Sequence, residues 1–371
     1  MTDNPLRGLA GVGQSVWYDN IHRGMLPEEL ERLVREDGLS GVTTNPAIFQ
    51  KAIGGTDAYD QAITEAIGQV GRDPEAVFEA LAMDDIRAAA RVLRRVYEAS
   101  DGVDGYVSME VSPDLAGDAR GTVTEALRLS AEAGEPNVMI KVPATSAGVE
   151  AFEELTVRGI PVNVTLIFGV ERYRQVADAY VRALERRRQA GDPVSAPASV
   201  ASLFISRLDA KIDPLLSDDA SAPVPPVPPG QAAIANARTA YSVYREIFHG
   251  AGFAALAEAG ARPQRLLWAS TGVKGERYPE TYYVEALAGP ETVTTLPPAT
   301  YEAYRRDGQP QERITERLEQ APAVLDELRA QGIDLDGVLA ELEREGIDAF
   351  VQAHRALLEA LEKKLQAAAG T

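Results

Sequence analysis

The fold class this sequence predicts is α/β: a closed parallel (β/α)8 barrel with additional C-terminal helices. Three observations predict it: eight short β-rich runs, longer helical patterns between them, and a length of 371 residues that one extended barrel fills. The first two runs are residues 15–20 (SVWYDN) and 41–46 (GVTTNP). Residues 105–111 (GYVSMEV), 137–143 (NVMIKVP) and 161–168 (PVNVTLIF) follow, each mostly apolar and bounded by Gly, Pro or Asn. The last three are 199–206 (SVASLFIS), 265–271 (RLLWAST) and 292–297 (TVTTLP). Between them PEELERLVRE, VFEALAMDDIRAAARVLRRVYEAS and VERYRQVADAYVRALERRRQA space apolar residues three and four apart, as amphipathic helices do.

Two segments stand outside this rhythm. Residues 217–230 (SDDASAPVPPVPPG) are too rich in Pro for a helix or strand and read as a surface insert. The less favoured reading is a ligand for a partner that recognises polyproline helices. Beyond Pro297 the chain reads as helical, with breaks at Gly308, Gly332 and Gly346. Its last helix gathers Phe350, Ala353, Leu357, Leu358, Leu361 and Leu365 near one face, for packing against the barrel rather than a partner. The whole chain, 1–371, is then one domain, with a barrel core of about 15–298 and a helical extension at 309–371.

Composition narrows the function. A net charge of −19, from 37 basic and 56 acidic residues, disfavours nucleic acid and anionic membrane as partners. No apolar run reaches the roughly 18 residues of a membrane helix, no secretory signal is visible, and cysteine is absent. The expected address is the cytoplasm. The three histidines, His22, His249 and His354, share no ligand-like spacing, so a His-rich metal site is not expected; no feature calls for a metal or an organic cofactor. Whether the chain is a monomer or a homodimer stays open.

Function is read from polar residues in strands that ought to be apolar on both faces. Asp19, Asn45 and Glu110 stand at or near strand ends; Lys141 interrupts VMIKVP; Asn163 and Thr165 share one face of PVNVTLIF; Ser202 and Ser270 add hydroxyls. Barrel enzymes carry their chemistry at the C-terminal strand ends, so these residues point to one polar cavity. Of six lysines only Lys141 has strand neighbours that are all apolar: Met139, Ile140, Val142 and Pro143. Desolvation favours the neutral amine, the form that attacks a carbonyl to make a Schiff base. The competing reading is a buried ion pair with Glu110, and the two are compatible. An imine is an electron sink for breaking a neighbouring C–C bond, and Asp19 and Glu110 are the carboxylates available to move protons. Arg207 and Lys274, just after the sixth and seventh strands, are placed to hold a phosphate.

Taken together these residues resemble the transaldolase family, from about Trp17 to Pro298. The carrying motifs are WYDN, GVTTNPAIF, SMEVSP, MIKVPAT, VNVTLIF and SLFISRLD, with WASTGVK and ETVTTLPP behind them. The resemblance implies a class I aldolase-type barrel whose Schiff-base lysine is Lys141, on the fourth strand. It implies an acid/base role for Asp19 and a proton-shuttling water held by Glu110 and Thr165. Asn45, Asn163 and Ser202 would hold the donor's hydroxyls, and Arg207 its phosphate. The activity implied is transfer of a dihydroxyacetone unit between sugar phosphates, in the non-oxidative pentose phosphate pathway, without a cofactor. One departure stands out: many members have Ser-Phe-Arg after the seventh strand, whereas this chain reads Ser270, Thr271, Gly272, Val273, Lys274. Lys274 is therefore the substitute expected for the second phosphate cation.

Two other functions compete. The fructose-6-phosphate aldolase branch usually carries glutamine at the position of Glu110 and tyrosine at that of Phe204, so this chain favours transfer over simple cleavage. A non-catalytic scaffold is the second alternative, and the joint presence of Lys141, Asp19 and Glu110 argues against it.

Overall fold

The computed structural model describes residues 4–216 and 227–367. Eight parallel strands close into one barrel in sequence order, each paired with its chain neighbours and β1 with β8. They are β1 (Gln14–Tyr18), β2 (Gly41–Val42), β3 (Tyr106–Glu110), β4 (Val138–Pro143), β5 (Val162–Ile167), β6 (Ser199–Phe204), β7 (Arg265–Ala269) and β8 (Thr292–Leu296). All eight lie within or across the runs expected to form strands. The expected helical patterns form helices Glu28–Asp37, Pro74–Ala99 and Val170–Ala190.

The second strand is shorter than the run that predicts it. Pro46 opens the helix Pro46–Gly54, and the Asn45 side chain caps that helix by accepting from the Ile48 N–H at 3.0 Å. Residues 43–45 are thereby drawn out of the sheet into the strand-to-helix turn. Gly41 is required where the strand remains, because a Cβ there would land on the fully buried indole of Trp17, its register partner on β1. β5 carries an irregularity between Val164 and Ile167, with Leu166 in the left-handed region at φ +59°. Such a bulge re-aims the side chains around it at a barrel rim.

Register decides which polar side chains meet. Glu110 on β3 is paired with Lys141 on β4, and Lys141 with Asn163 on β5, so the three lie side by side at one level of the barrel. The opposite end is closed by ties of its own: Trp17 donates to Asp104 at 2.7 Å, and Arg265 pairs with the same carboxylate at 3.3 Å.

Beyond β8 the chain differs from the expectation in two places. After the helix Pro298–Asp307, residues 308–317 form no regular helix before Ala321–Ala330. Gly346 does not interrupt the last helix, which runs unbroken over Leu335–Ala367. Instead it is buried, and a Cβ there would meet Leu166 at 3.0 Å and the Phe168 ring at 3.3 Å. A break signal in the sequence is thus a close-approach site in the fold. The helix lays Leu342, Leu357, Leu361 and Leu365 against the barrel and its helices, and it crosses the helix Pro46–Gly54. Of the Pro-rich insert, residues 217–226 lie outside the described residues; Val227 is buried and Gly230 N–H donates to Asp213 at 2.9 Å.

Candidate active site

A cavity of about 830 Å³ opens at the C-terminal ends of the strands. Seven of the ten residues singled out in the sequence line it: Asp19, Asn45, Lys141, Ser202, Arg207, Ser270 and Lys274. Glu110, Asn163 and Thr165 stand behind them in the wall.

Lys141 is 5% exposed, and its ammonium donates to the Thr44 carbonyl at 2.7 Å and to Glu110 at 2.9 Å. Thr44 also brings its hydroxyl to the second Glu110 oxygen at 2.7 Å. Burial pushes the Glu110 carboxyl above the usual range, while the Lys141 charge and the Thr44 hydrogen bond oppose that rise. The ion-pair reading of Lys141 thus holds in the geometry, and the same contact sets a carboxyl with raised proton affinity directly against the amine.

Asp19 follows β1, and its carboxylate accepts from the Thr43 hydroxyl at 2.7 Å. Its pKa is also raised by burial, against the opposing charge of Lys141, the Thr43 hydrogen bond and the charge of Lys274. A carboxyl held above its usual range is better suited to taking and returning a proton than an ordinary exposed carboxylate.

The neutral polar residues form a relay. The Asn163 amide donates to Ser108 at 3.0 Å, and its oxygen accepts from the Ser202 hydroxyl at 2.7 Å. Asn163 is fully buried, so Ser202 is the member of the pair that faces the cavity. Thr165 is buried, and its hydroxyl has no partner among the described residues. Asn45 uses its oxygen to cap a helix, and the residue also lines the cavity. Ser270 adopts φ +53°, and its hydroxyl lies 3.2 Å from that of Ser206. Backbone held in this region gathers at functional sites.

At the cation end, the Arg207 guanidinium lies 5.3 Å above the Phe204 ring, a cation–π contact that fixes its direction. Lys274 is exposed at the rim, yet loss of solvent around its ammonium, followed by the charge of Arg207, lowers its pKa. The two cations lie near enough to repel each other, and together they make a seat for a dianion.

Sequence reasoning missed several lining residues. Thr43 and Thr295, whose hydroxyls lie 2.6 Å apart, hold Asp19 in place; the signal for Thr43 was its two-residue spacing from Asn45. Lys51 lines the cavity from the helix Pro46–Gly54, and Phe350 from the C-terminal helix. Neither carries a local signal, because each reaches the cavity only through helix placement. The histidines are dispersed: His22 lines the cavity, His249 pairs with Glu291 at 2.7 Å and His354 with Glu75 at 3.2 Å.

A parallel barrel that buries a lysine against a carboxylate, at the level where its cavity begins, belongs to the class of enzymes equipped for amine chemistry on carbonyl compounds. Comparison with known proteins narrows this. The family model described as Transaldolase/Fructose-6-phosphate aldolase matches residues 16–361, and the chain belongs to that family. It is 44% identical over 356 residues to a transaldolase of Thiobacillus denitrificans, covering 96% of this chain and 99% of that one. It is 45% identical over 369 residues to a transaldolase of Mycolicibacterium paratuberculosis, covering 98% of each. With a transaldolase of Thermobifida fusca the identity is 44% over 366 residues, covering 98% and 99%. Among the described residues no helix is long and apolar enough to cross a membrane.

Proposed function

We propose that the protein is a transaldolase that moves a dihydroxyacetone unit from sedoheptulose 7-phosphate to glyceraldehyde 3-phosphate, giving erythrose 4-phosphate and fructose 6-phosphate. The observation that carries this reading is the buried Lys141 amine, bonded to Glu110 at 2.9 Å and lining the same cavity as Asp19. Lys141 attacks the donor ketone at C2, and water leaves as the imine forms. Glu110, its proton affinity raised by burial, with the Thr165 hydroxyl, which has no partner among the described residues, handles that water. Asp19 takes the proton of the C4 hydroxyl, the C3–C4 bond breaks, and its electrons pass into the imine to leave a three-carbon enamine. The enamine carbon attacks the acceptor aldehyde, Asp19 returns the proton, and hydrolysis frees Lys141. Ser202, oriented by Asn163, and the Asn45 amide hold the hydroxyls of the three-carbon unit; Arg207 and Lys274 hold the phosphate.

Phe204 under Arg207, and a carboxylate at Glu110, favour transfer over the cleavage of the fructose-6-phosphate aldolase branch. The whole chain works as one domain in this reading, since the C-terminal helix lines the cavity. A cytoplasmic location suits it. The decisive experiment is borohydride reduction with fructose 6-phosphate: a three-carbon mass tag on Lys141 is expected. No tag, or a tag on Lys274, overturns the proposal. Release of dihydroxyacetone without an acceptor, at the rate of transfer, would support the aldolase reading instead.

A further inference from the structure

The C-terminal helix brings an aromatic side chain to the cavity wall near Lys141. Phe350 is half-buried in the wall, its ring centroid 6.0 Å from the Lys141 nitrogen, and Ala349 and Ala353 line the wall beside it. The contacts of the Lys141 amine on the barrel side are polar, to Thr44 and Glu110. Phe350 therefore sets an apolar surface against the reacting nitrogen.

The helix is tied down along its length. Lys211 bonds Glu341 at 2.9 Å and Glu345 at 2.7 Å, His354 meets Glu75 at 3.2 Å, and Lys364 meets Asp60 at 2.7 Å. Gly346, one turn before Phe350, permits the contact with Leu166 and Phe168 that sets the height of the helix over the barrel. A larger side chain at 346 would lift the helix and carry Phe350 away from Lys141.

What this surface governs is the fate of the enamine. Its C3 carbon forms a bond to an aldehyde, restoring the imine, or it takes a proton. Protonation gives the iminium of dihydroxyacetone, which one water hydrolyses to free dihydroxyacetone and the lysine amine. The proton gained at carbon balances the one Asp19 removed from the donor hydroxyl. Solvent at the nitrogen and C3 favours the second course. We propose that Phe350, held by the close approach at Gly346, is a further specificity-determining residue, one that keeps solvent from the enamine and commits it to transfer. This inference rests on the functional reading above.

The test measures free dihydroxyacetone released from fructose 6-phosphate without acceptor, as a ratio to transfer with erythrose 4-phosphate present, alongside borohydride labelling of Lys141. Phe350→Ala should raise the ratio about tenfold or more, with Lys141 still labelled. Phe350→Leu should give a smaller rise. Gly346→Val leaves Phe350 in the chain yet should raise the ratio in the same direction, and with Phe350→Leu it carries the test if Phe350→Ala folds poorly. An unchanged ratio in folded variants, with the wild type active and labelled, overturns this inference alone. A wild type that neither labels nor transfers overturns the functional reading and this one with it.

Discussion

Lys141 shows how much a single residue can disclose and where disclosure stops. Its apolar strand neighbours made it conspicuous, but the Glu110 oxygen at 2.9 Å comes from β3 and the Thr44 carbonyl at 2.7 Å from the turn after β2. Arginine at this position stays charged and cannot act as a nucleophile. Lys141→Arg should therefore reduce transfer to background and remove the borohydride tag, while circular dichroism shows an intact barrel; retained transfer would contradict the assignment. Arg207 is desolvated and stacked on Phe204. Charge-assisted hydrogen bonds contribute about 1.5–3 kcal/mol, so Arg207→Ala should raise KM for phosphorylated donors about 10- to 100-fold. Lys274→Ala, at the exposed rim, should raise it less. Unphosphorylated dihydroxyacetone should be affected little by either, and equal losses on both substrate types would mean that Arg207 serves the fold.

At the scale of elements, the eight strands and the long helices were legible because alternation and helical spacing are local properties. Their ends were not. The run at 41–46 reads as six strand residues, yet the Asn45 cap and Pro46 turn its second half into a helix start. Asn45 consequently serves two purposes, and substitutions separate them. Asn45→Asp keeps an oxygen for the Ile48 N–H, so its melting temperature should stay near that of the wild type while KM for the donor rises. Asn45→Ala loses both functions, costing about 0.5–2 kcal/mol of stability as well. Equal melting temperatures for the two variants would show that the cap contributes nothing. Gly346 was misread for a related reason. Glycine often ends a helix, but here the missing Cβ admits Leu166 and Phe168, contacts some 180 positions away in the chain.

Across the whole molecule, buried carboxyls tie the barrel to its outer helices and make its stability depend on pH. Asp209, after β6, accepts from the Ala233 N–H at 2.8 Å and the Tyr283 hydroxyl at 2.9 Å, which joins it to the helices Ala232–Phe248 and Tyr282–Ala286. Burial pushes its pKa up to about 7. In the unfolded chain the same group titrates near 3.9, so the folded protein binds this proton more tightly. Its contribution to stability is full below about pH 4 and is lost as pH rises to 7, at up to about 1.4 kcal/mol per pH unit. Asp209→Asn removes that titration and keeps the geometry, so urea unfolding should show the variant gaining on the wild type between pH 4 and 7. A difference constant across that window would place the Asp209 pKa near its ordinary value. The sequence by itself determined the strand count, the alternating order of elements, the polar residues that interrupt apolar strands, and Lys141 as the amine to watch. Periodicity and desolvation follow from near neighbours in the chain, which is why these were readable there. Only the tertiary structure decided that Glu110, Lys141 and Asn163 share one level, since interstrand register belongs to barrel closure and to no single strand. It alone also decided that Lys51 and Phe350 reach the cavity, because a helix carries its residues to a place set by what it packs against.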